Sequence, residues 1–122
     1  LMLIKNKIPF VNENEIMKKA LKILNIKKLG FLVITNNYDQ ISGIFTDGDL
    51  KRLLQKKRKI ENYKIKNFMI KNPYIVEENT LAADILLQMN KKKITNVCVY
   101  KEGNKRKVTG VLHIHNLLDN LK

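Results

Sequence analysis

Gly43-Ile44-Phe45-Thr46-Asp47-Gly48-Asp49-Leu50 is the stretch that decides how this chain is read. An apolar, β-branched run enters a short polar turn, and Leu50, Leu53 and Leu54 follow at helical spacing. The pattern predicts a strand ending at Thr46 and a helix starting within Thr46–Asp49. The first N–H groups of such a helix lack intrahelical partners, so a side chain or a ligand oxygen must satisfy them. Thr46 offers a hydroxyl and Asp49 a carboxylate, while Gly48 lets a ligand approach the backbone. A hydroxyl and a carboxylate three residues apart suit the vicinal diol of a ribose. The same spacing is that of a capping box, with Thr46 or Asp47 as N-cap, and the turn alone leaves both readings open.

What tips the balance is that the whole unit occurs twice. Met2 followed by Ile8-Pro9-Phe10-Val11 is echoed by Met69 followed by Asn72-Pro73-Tyr74-Ile75-Val76. An amphipathic helix follows each, with Ile16, Ala20, Leu21, Ile23 and Leu24 on the apolar face of one and Leu81, Ala82, Ile85, Leu86 and Met89 on that of the other. Asn14 and Thr80 are the expected caps. A lysine precedes the next strand in each half: Lys28 before Leu29 to Ile34, and Lys93 before Ile94 to Val99. Polar turns follow at Asn36-Asn37-Tyr38-Asp39 and Glu102-Gly103-Asn104. Each half closes with strand, turn and helix, Gly43 to Leu54 and Gly110 to Leu118. The expected fold class is α/β (α+β), two pseudo-symmetric β-α-β-β-α units, residues 1–60 and 61–122, packed through their sheets because neither buries its sheet alone. Residues 56–67 connect them, with a short helical lead-in over Lys64–Met69.

Composition narrows the function classes. With 44% hydrophobic and 29% charged residues over 122 positions, this is a globular chain. It has no apolar run of the roughly 18 residues that a membrane span needs, and no signal-peptide pattern is read at its start. Leu1 in place of an initiator Met suggests a piece of something longer. The one cysteine, Cys98, sits in an apolar run and reads as a buried thiol of a cytoplasmic protein. The net charge of +13 is ambiguous, since lysine is spread over almost every segment. The dense run Lys56-Lys57-Arg58-Lys59 lacks interleaved aromatics and reads as a solvated basic linker, with no nucleic-acid partner expected. No nucleophile–base pair, phosphate-cradling glycine loop or complete metal set supports catalysis.

The repeat resembles a pair of CBS domains, the regulatory Bateman module named after cystathionine β-synthase, and the resemblance spans the whole chain. Gly43-x-x-Thr46-x-x-Asp49 matches that family's Gly-x-x-Thr-x-x-Asp signature, whose Thr and Asp hold the ribose of an adenosine-type nucleotide. The resemblance implies clefts between the paired sheets and further pairing of modules into homodimers. More narrowly, Thr46 to Arg52 together with the ending Gly110-Val111-Leu112-His113-Ile114-His115-Asn116-Leu117-Leu118 resembles the C-terminal part of bacterial arabinose-5-phosphate isomerases. Those enzymes carry a sugar-isomerase domain ahead of the CBS pair and serve the synthesis of Kdo, the acidic sugar of lipopolysaccharide. The resemblance implies a regulatory ligand in place of a cofactor, a nucleotide or nucleotide-sugar such as CMP-Kdo or an adenine nucleotide, and no isomerisation by this chain itself. Alternatives are a ligand-free dimerisation or tethering module, and the CBS pair of a sugar-phosphate nucleotidyltransferase.

The halves differ where a ligand would bind. His113 stands at the position of Thr46, and Asn116 stands at that of Asp49, where the isomerase family has Asp. Asn116 also suits an N-cap for Leu117 onward. His113 and His115, two apart, lie on one side if the strand continues through them. Two ligands leave a metal site incomplete, so no metal is expected, and a contact to an anionic ligand or packing fits better. The candidate ligand-binding residues are thus Thr46, Asp47, Asp49, Lys28, Lys93, His113, His115 and Asn116, with the lysines as point charges for a phosphate.

Overall fold

Alternating and continuous apolar runs set the strands, and period-3.6 runs set the helices. The computed structural model describes residues 3–4, 7–27, 30–57, 59–104 and 106–120. The first repeat runs β1 (Leu3–Ile4), β2 (Phe10–Asn12), α1 (Met17–Lys27), β3 (Phe31–Thr35), β4 (Ile41–Thr46) and α2 (Asp47–Lys56). The second runs β5 (Ile70–Lys71), β6 (Ile75–Glu77), α3 (Ala82–Lys92), β7 (Asn96–Tyr100), β8 (Val108–His113) and α4 (Ile114–Asn120). A 3₁₀ turn at Ile65–Asn67 forms the expected lead-in to the second repeat.

The strands form two mixed sheets, β2-β3-β4-β5 and β1-β8-β7-β6. In each, one parallel pair (β2/β3, β6/β7) adjoins an antiparallel hairpin (β3/β4, β7/β8). The register shifts once in each hairpin, between Ile34 and Thr35 and between Val99 and Tyr100. Each repeat lends its leading strand to the other repeat's sheet: β1 pairs with β8 and β5 with β4. The chain accordingly packs as two compact units, residues 9–73, and residues 74–122 with 1–8. Packing divides the chain later than the boundary expected after residue 60, because Ile60 and Ile65 are buried in the first unit's core and Phe68 and Met69 pack against it.

That core gathers Met17, Ala20 and Leu24 of α1 with Val11, Leu32, Ile34 and Phe45 of the sheet. In the second unit Ile85, Met89 and Leu117 pack with Val76, Val97 and Val99. Leu81, expected on the apolar face of α3, instead precedes the helix and is 70% exposed. Neither expected cap is used. Helix α3 starts behind Leu81 with no side-chain cap, one residue after Thr80, and α1 starts at Met17, beyond Asn14.

The first N–H groups of α1 are taken by the connector. Met17 donates to the Tyr63 carbonyl (2.7 Å) and Lys18 to that of Glu61 (2.9 Å), while Ile65 and Lys66 donate back to Glu15 (2.8 Å) and Glu13 (3.0 Å). Lys56 and Lys59 of the basic run are exposed, as a solvated run should be, whereas the chain beyond Ile60 is docked along its backbone. Lys57 places its Nζ 3.9 Å from the centroid of the Tyr63 ring, and Arg58 lies outside the described residues. Cys98 is buried, and burial pushes its thiol up to about 12.

Gly43 sets how closely β5 approaches β4. A Cβ there would lie 2.7 Å from the Met69 sulfur and 2.8 Å from the Ile70 carbonyl oxygen. Since backbone cannot yield as a side-chain tip does, Gly43→Ala is expected to destabilise the protein by about 1–3 kcal/mol despite alanine's entropic advantage. A lower urea midpoint in chemical denaturation checks this.

Candidate functional site

Strand β4 ends at Thr46, whose extended backbone (φ −117°, ψ 166°) makes it the N-cap of α2. Its hydroxyl oxygen accepts from the Asp49 N–H (3.1 Å), and Asp49 Oδ2 accepts from the Thr46 N–H (2.9 Å). The capping-box reading is therefore realised. It leaves the Thr46 hydroxyl proton and the remaining lone pairs of Asp49 for other partners. The Arg52 guanidinium, one turn on, reaches back to Asp49 Oδ1 at 2.7 Å. Asp47 donates its N–H to the Gly30 carbonyl (2.9 Å) and leaves its carboxylate at the exposed rim. Gly30 holds φ +76°, and a Cβ on it would come within 3.2 Å of Asp47 Oδ2. Thr46, Asp47 and Asp49 thus share one turn, with two carboxylates against one guanidinium.

The second turn repeats the framework with other chemistry. Strand β8 ends at His113, and Ile114, the first residue of α4, donates to the Thr95 carbonyl at 2.8 Å, as Asp47 does to Gly30. For the two histidines to share one side of the strand it would have to continue through His115; it does not, because the helix begins between them. Their rings still meet, stacked with centroids 4.8 Å apart. His113 Nδ1 accepts the His115 backbone N–H at 3.1 Å, so an imidazole sits at the Thr46 position. This bond fixes Nδ1 as the unprotonated nitrogen, and burial, aided by the charge of His115, holds the His113 pKa below its ordinary value. Asn116 falls inside α4, not ahead of it, so it is not the N-cap; its side chain lies outside the described residues.

Lys28 also lies outside the described residues. Lys93 is the C-cap of α3, in the left-handed region at φ 56°, and its side chain is exposed. The Thr46 turn belongs to the unit of residues 9–73 and the His113 turn to the other. Among the described residues, no three His, Cys, Asp or Glu side chains gather as a metal set. A cavity of about 410 Å³ opens elsewhere in the first unit, lined by Phe10, Val11, Asn12, Asn14, Glu15 and Ile23, where the sequence singled out no ligand contact. The residue that sequence reasoning passed over is Arg52, although its spacing three residues beyond Asp49 is the signal of a helix-surface ion pair.

Comparison with known proteins agrees with this duplicated architecture. The model of the CBS domain family matches residues 3–56 and again 65–122. Arabinose 5-phosphate isomerase KdsD of Yersinia pestis is 36% identical over 111 residues, covering 91% of this chain and 33% of the isomerase. The Escherichia coli K12 enzyme of the same name is 34% identical over 113 residues, 93% of this chain and 34% of the enzyme. The chain thus spans about a third of the length of the curated relatives it matches. Among solved structures, CBSX2 in complex with AMP aligns with a TM-score of 0.81 at 22% identity, covering 98% of this chain and 91% of that one. The CBS-domain protein ATU1752 of Agrobacterium tumefaciens aligns with a TM-score of 0.84 at 20% identity, covering 94% and 90%.

The caps make two predictions. Thr46→Ala removes a cap acceptor and is expected to cost about 1 kcal/mol, whereas Thr46→Ser, which keeps the oxygen, stays near wild type in urea denaturation. For His113, whose folded pKa lies below the ordinary 6.5, the unfolded chain takes the proton first. Its contribution is therefore complete above pH 6.5 and is lost as pH falls below it, so His113→Gln should flatten the urea midpoint between pH 7.5 and 5.

Proposed function

Since the chain belongs to the CBS-domain family, we propose that its repeats, residues 1–60 and 61–122, form the ligand-sensing regulatory pair of an arabinose-5-phosphate isomerase. A CBS pair is a regulatory rather than a catalytic module, so isomerisation belongs to a sugar-isomerase domain of the same parent protein. The ligand is a nucleotide or nucleotide-sugar: CMP-Kdo, as end product of the pathway, or an adenine nucleotide. The observation that carries the reading is the Thr46–Asp49 turn, a hydroxyl and a carboxylate at a helix N-terminus that Asp47 ties to Gly30. The isomerases' similarity over nine-tenths of this chain supports the parent, and the AMP complex of CBSX2 supports the ligand class.

In this reading Thr46, Asp47 and Asp49 take the sugar hydroxyls. His113, His115 and Asn116 serve a second turn of different selectivity, and Lys28 and Lys93 lend charge to an anion. The module pairs with a second copy and works in the cytoplasm, where Cys98 stays a thiol, with neither nucleic acid nor membrane as partner. Binding controls the isomerase only if the two states of the module differ in affinity for the ligand.

A second reading, a ligand-free tether that dimerises the enzyme, is favoured by one fact: Thr46 and Asp49 already satisfy each other. A thermal-shift screen against AMP, ADP, ATP, CMP and CMP-Kdo separates the two. A ligand at a hundredfold excess over its Kd should add about 2.7 kcal/mol, a rise on the order of 10 °C for a chain of this size. A response to CMP-Kdo assigns end-product sensing, and a response to adenine nucleotides assigns energy sensing. No response to any of the five leaves the tether.

A further inference from the structure

Strand β2 is the outer strand of its sheet, and its own edge frames the cavity beside α1. Successive side chains of a strand point to opposite faces. A cavity lined by three consecutive residues, Phe10, Val11 and Asn12, therefore lies along the edge of the strand rather than on one face. The bonds to β3 run through alternate residues. Val33 donates to the Pro9 carbonyl (3.0 Å) and Glu13 to that of Thr35 (2.7 Å), with Phe10 opposite Val33. In a parallel pair this register turns the N–H and C=O of Phe10, and the N–H of Asn12, away from β3. The Asn12 carbonyl is taken by the Glu15 N–H at 3.0 Å. Among the described residues no strand pairs with this edge.

The rim is braced and carries one charge. Asn12 Oδ1 accepts the Asn14 N–H (2.9 Å), and its Nδ2 donates to Asn37 Oδ1 (3.0 Å). The Glu15 carbonyl accepts the Ile65 N–H (2.8 Å), so Glu15 is held from the strand and from the connector. Its side chain is the one charged group of the lining. It has no ion-pair partner among the described residues, in a chain with 24 Lys and Arg against 11 Asp and Glu. Phe10 and Ile23 of α1 add apolar surface.

We infer that this edge is a docking site for an extended peptide segment carrying a lysine or arginine. The segment adds to β2 as a strand through Phe10 and Asn12, with its basic side chain in the cavity and its charge on Glu15. An unpaired edge supplies main-chain donors and acceptors to an incoming chain. A long basic side chain lays its stem on apolar surface and brings its head to a carboxylate. About 410 Å³ accommodates it. Glu15 sets this choice against the charge of the whole molecule, whose +13 by itself favours an acidic segment.

The second repeat keeps the backbone of this corner and changes its chemistry. Thr80 donates to the Glu77 carbonyl at 3.0 Å as Glu15 does to that of Asn12, which puts Thr80 at the Glu15 position and Gln88 at that of Ile23. The carboxylate at this position, with an apolar helix residue beside it, is confined to the first repeat.

The test is an NMR chemical-shift titration of this chain with the blocked peptide acetyl-Thr-Val-Lys-Val-Thr-amide. Two further probes are the peptide with Glu in place of Lys, and the Lys peptide with its three central amides N-methylated. The Lys peptide is expected to shift the amides of Phe10, Asn12, Glu15 and Ile23 and to bind on the order of tenfold tighter than the Glu peptide. Glu15→Gln keeps an acceptor for the Ile16 N–H (3.3 Å) and should erase that preference. Glu13→Gln, which removes the same charge outside the cavity, should retain it. N-methylation should weaken binding several-fold. Absence of saturable shifts, equal binding of the Lys and Glu peptides, a preference that survives Glu15→Gln, or shifts confined to other surfaces each overturn the site. Undiminished binding of the N-methylated peptide overturns the strand pairing.

Discussion

One backbone hydrogen bond, made twice, holds each candidate site in place. The first residue of the closing helix donates to the carbonyl just ahead of the central strand, Asp47 to Gly30 at 2.9 Å and Ile114 to Thr95 at 2.8 Å. Each bond ties a strand-to-helix turn to the head of the neighbouring strand. It satisfies a helix-terminal N–H that the helix cannot satisfy itself, and it asks nothing of the side chains. The cap chemistry was therefore free to diverge: Thr46 with Asp49 in one turn, His113 in the other.

That divergence gives the turns different electrostatic characters. The first holds two carboxylates and one guanidinium. The second relies on an imidazole nitrogen that must stay unprotonated to accept the His115 N–H. One repeat unit, duplicated, thus carries two turns of different chemistry. The family match covers both units, and the chemistry distinguishes them.

The connector shows how packing overrides composition. Lys56 to Lys59 read as a solvated run, and charge alone would keep the whole segment in water. Two isoleucines decide otherwise, since Ile60 and Ile65 are 1% and 0% exposed. Their burial brings the Glu61 and Tyr63 carbonyls onto the open N–H groups of α1, the role expected of Asn14. A helix that begins Met17-Lys18-Lys19, with no acidic residue in its first turn, is thereby capped by chain some forty residues away in sequence.

The amino-acid sequence by itself determined the duplication, the order of elements, the strand ending at Thr46 and the helix after it, because periodicity, turn residues and capping spacing act over a few neighbours. It also placed Thr46, Asp49, His113 and His115 at their turns and left Cys98 in the core. Tertiary structure alone decided the exchange of leading strands β1 and β5, the docked connector, the end of β8 between the two histidines and the latch of Arg52 on Asp49. The exchange and the connector depend on contacts between residues far apart in the chain, where loop closure and burial compete. The end of β8 and the Arg52 latch turn on one dihedral or one rotamer that several local patterns allow, and only packing selects among them.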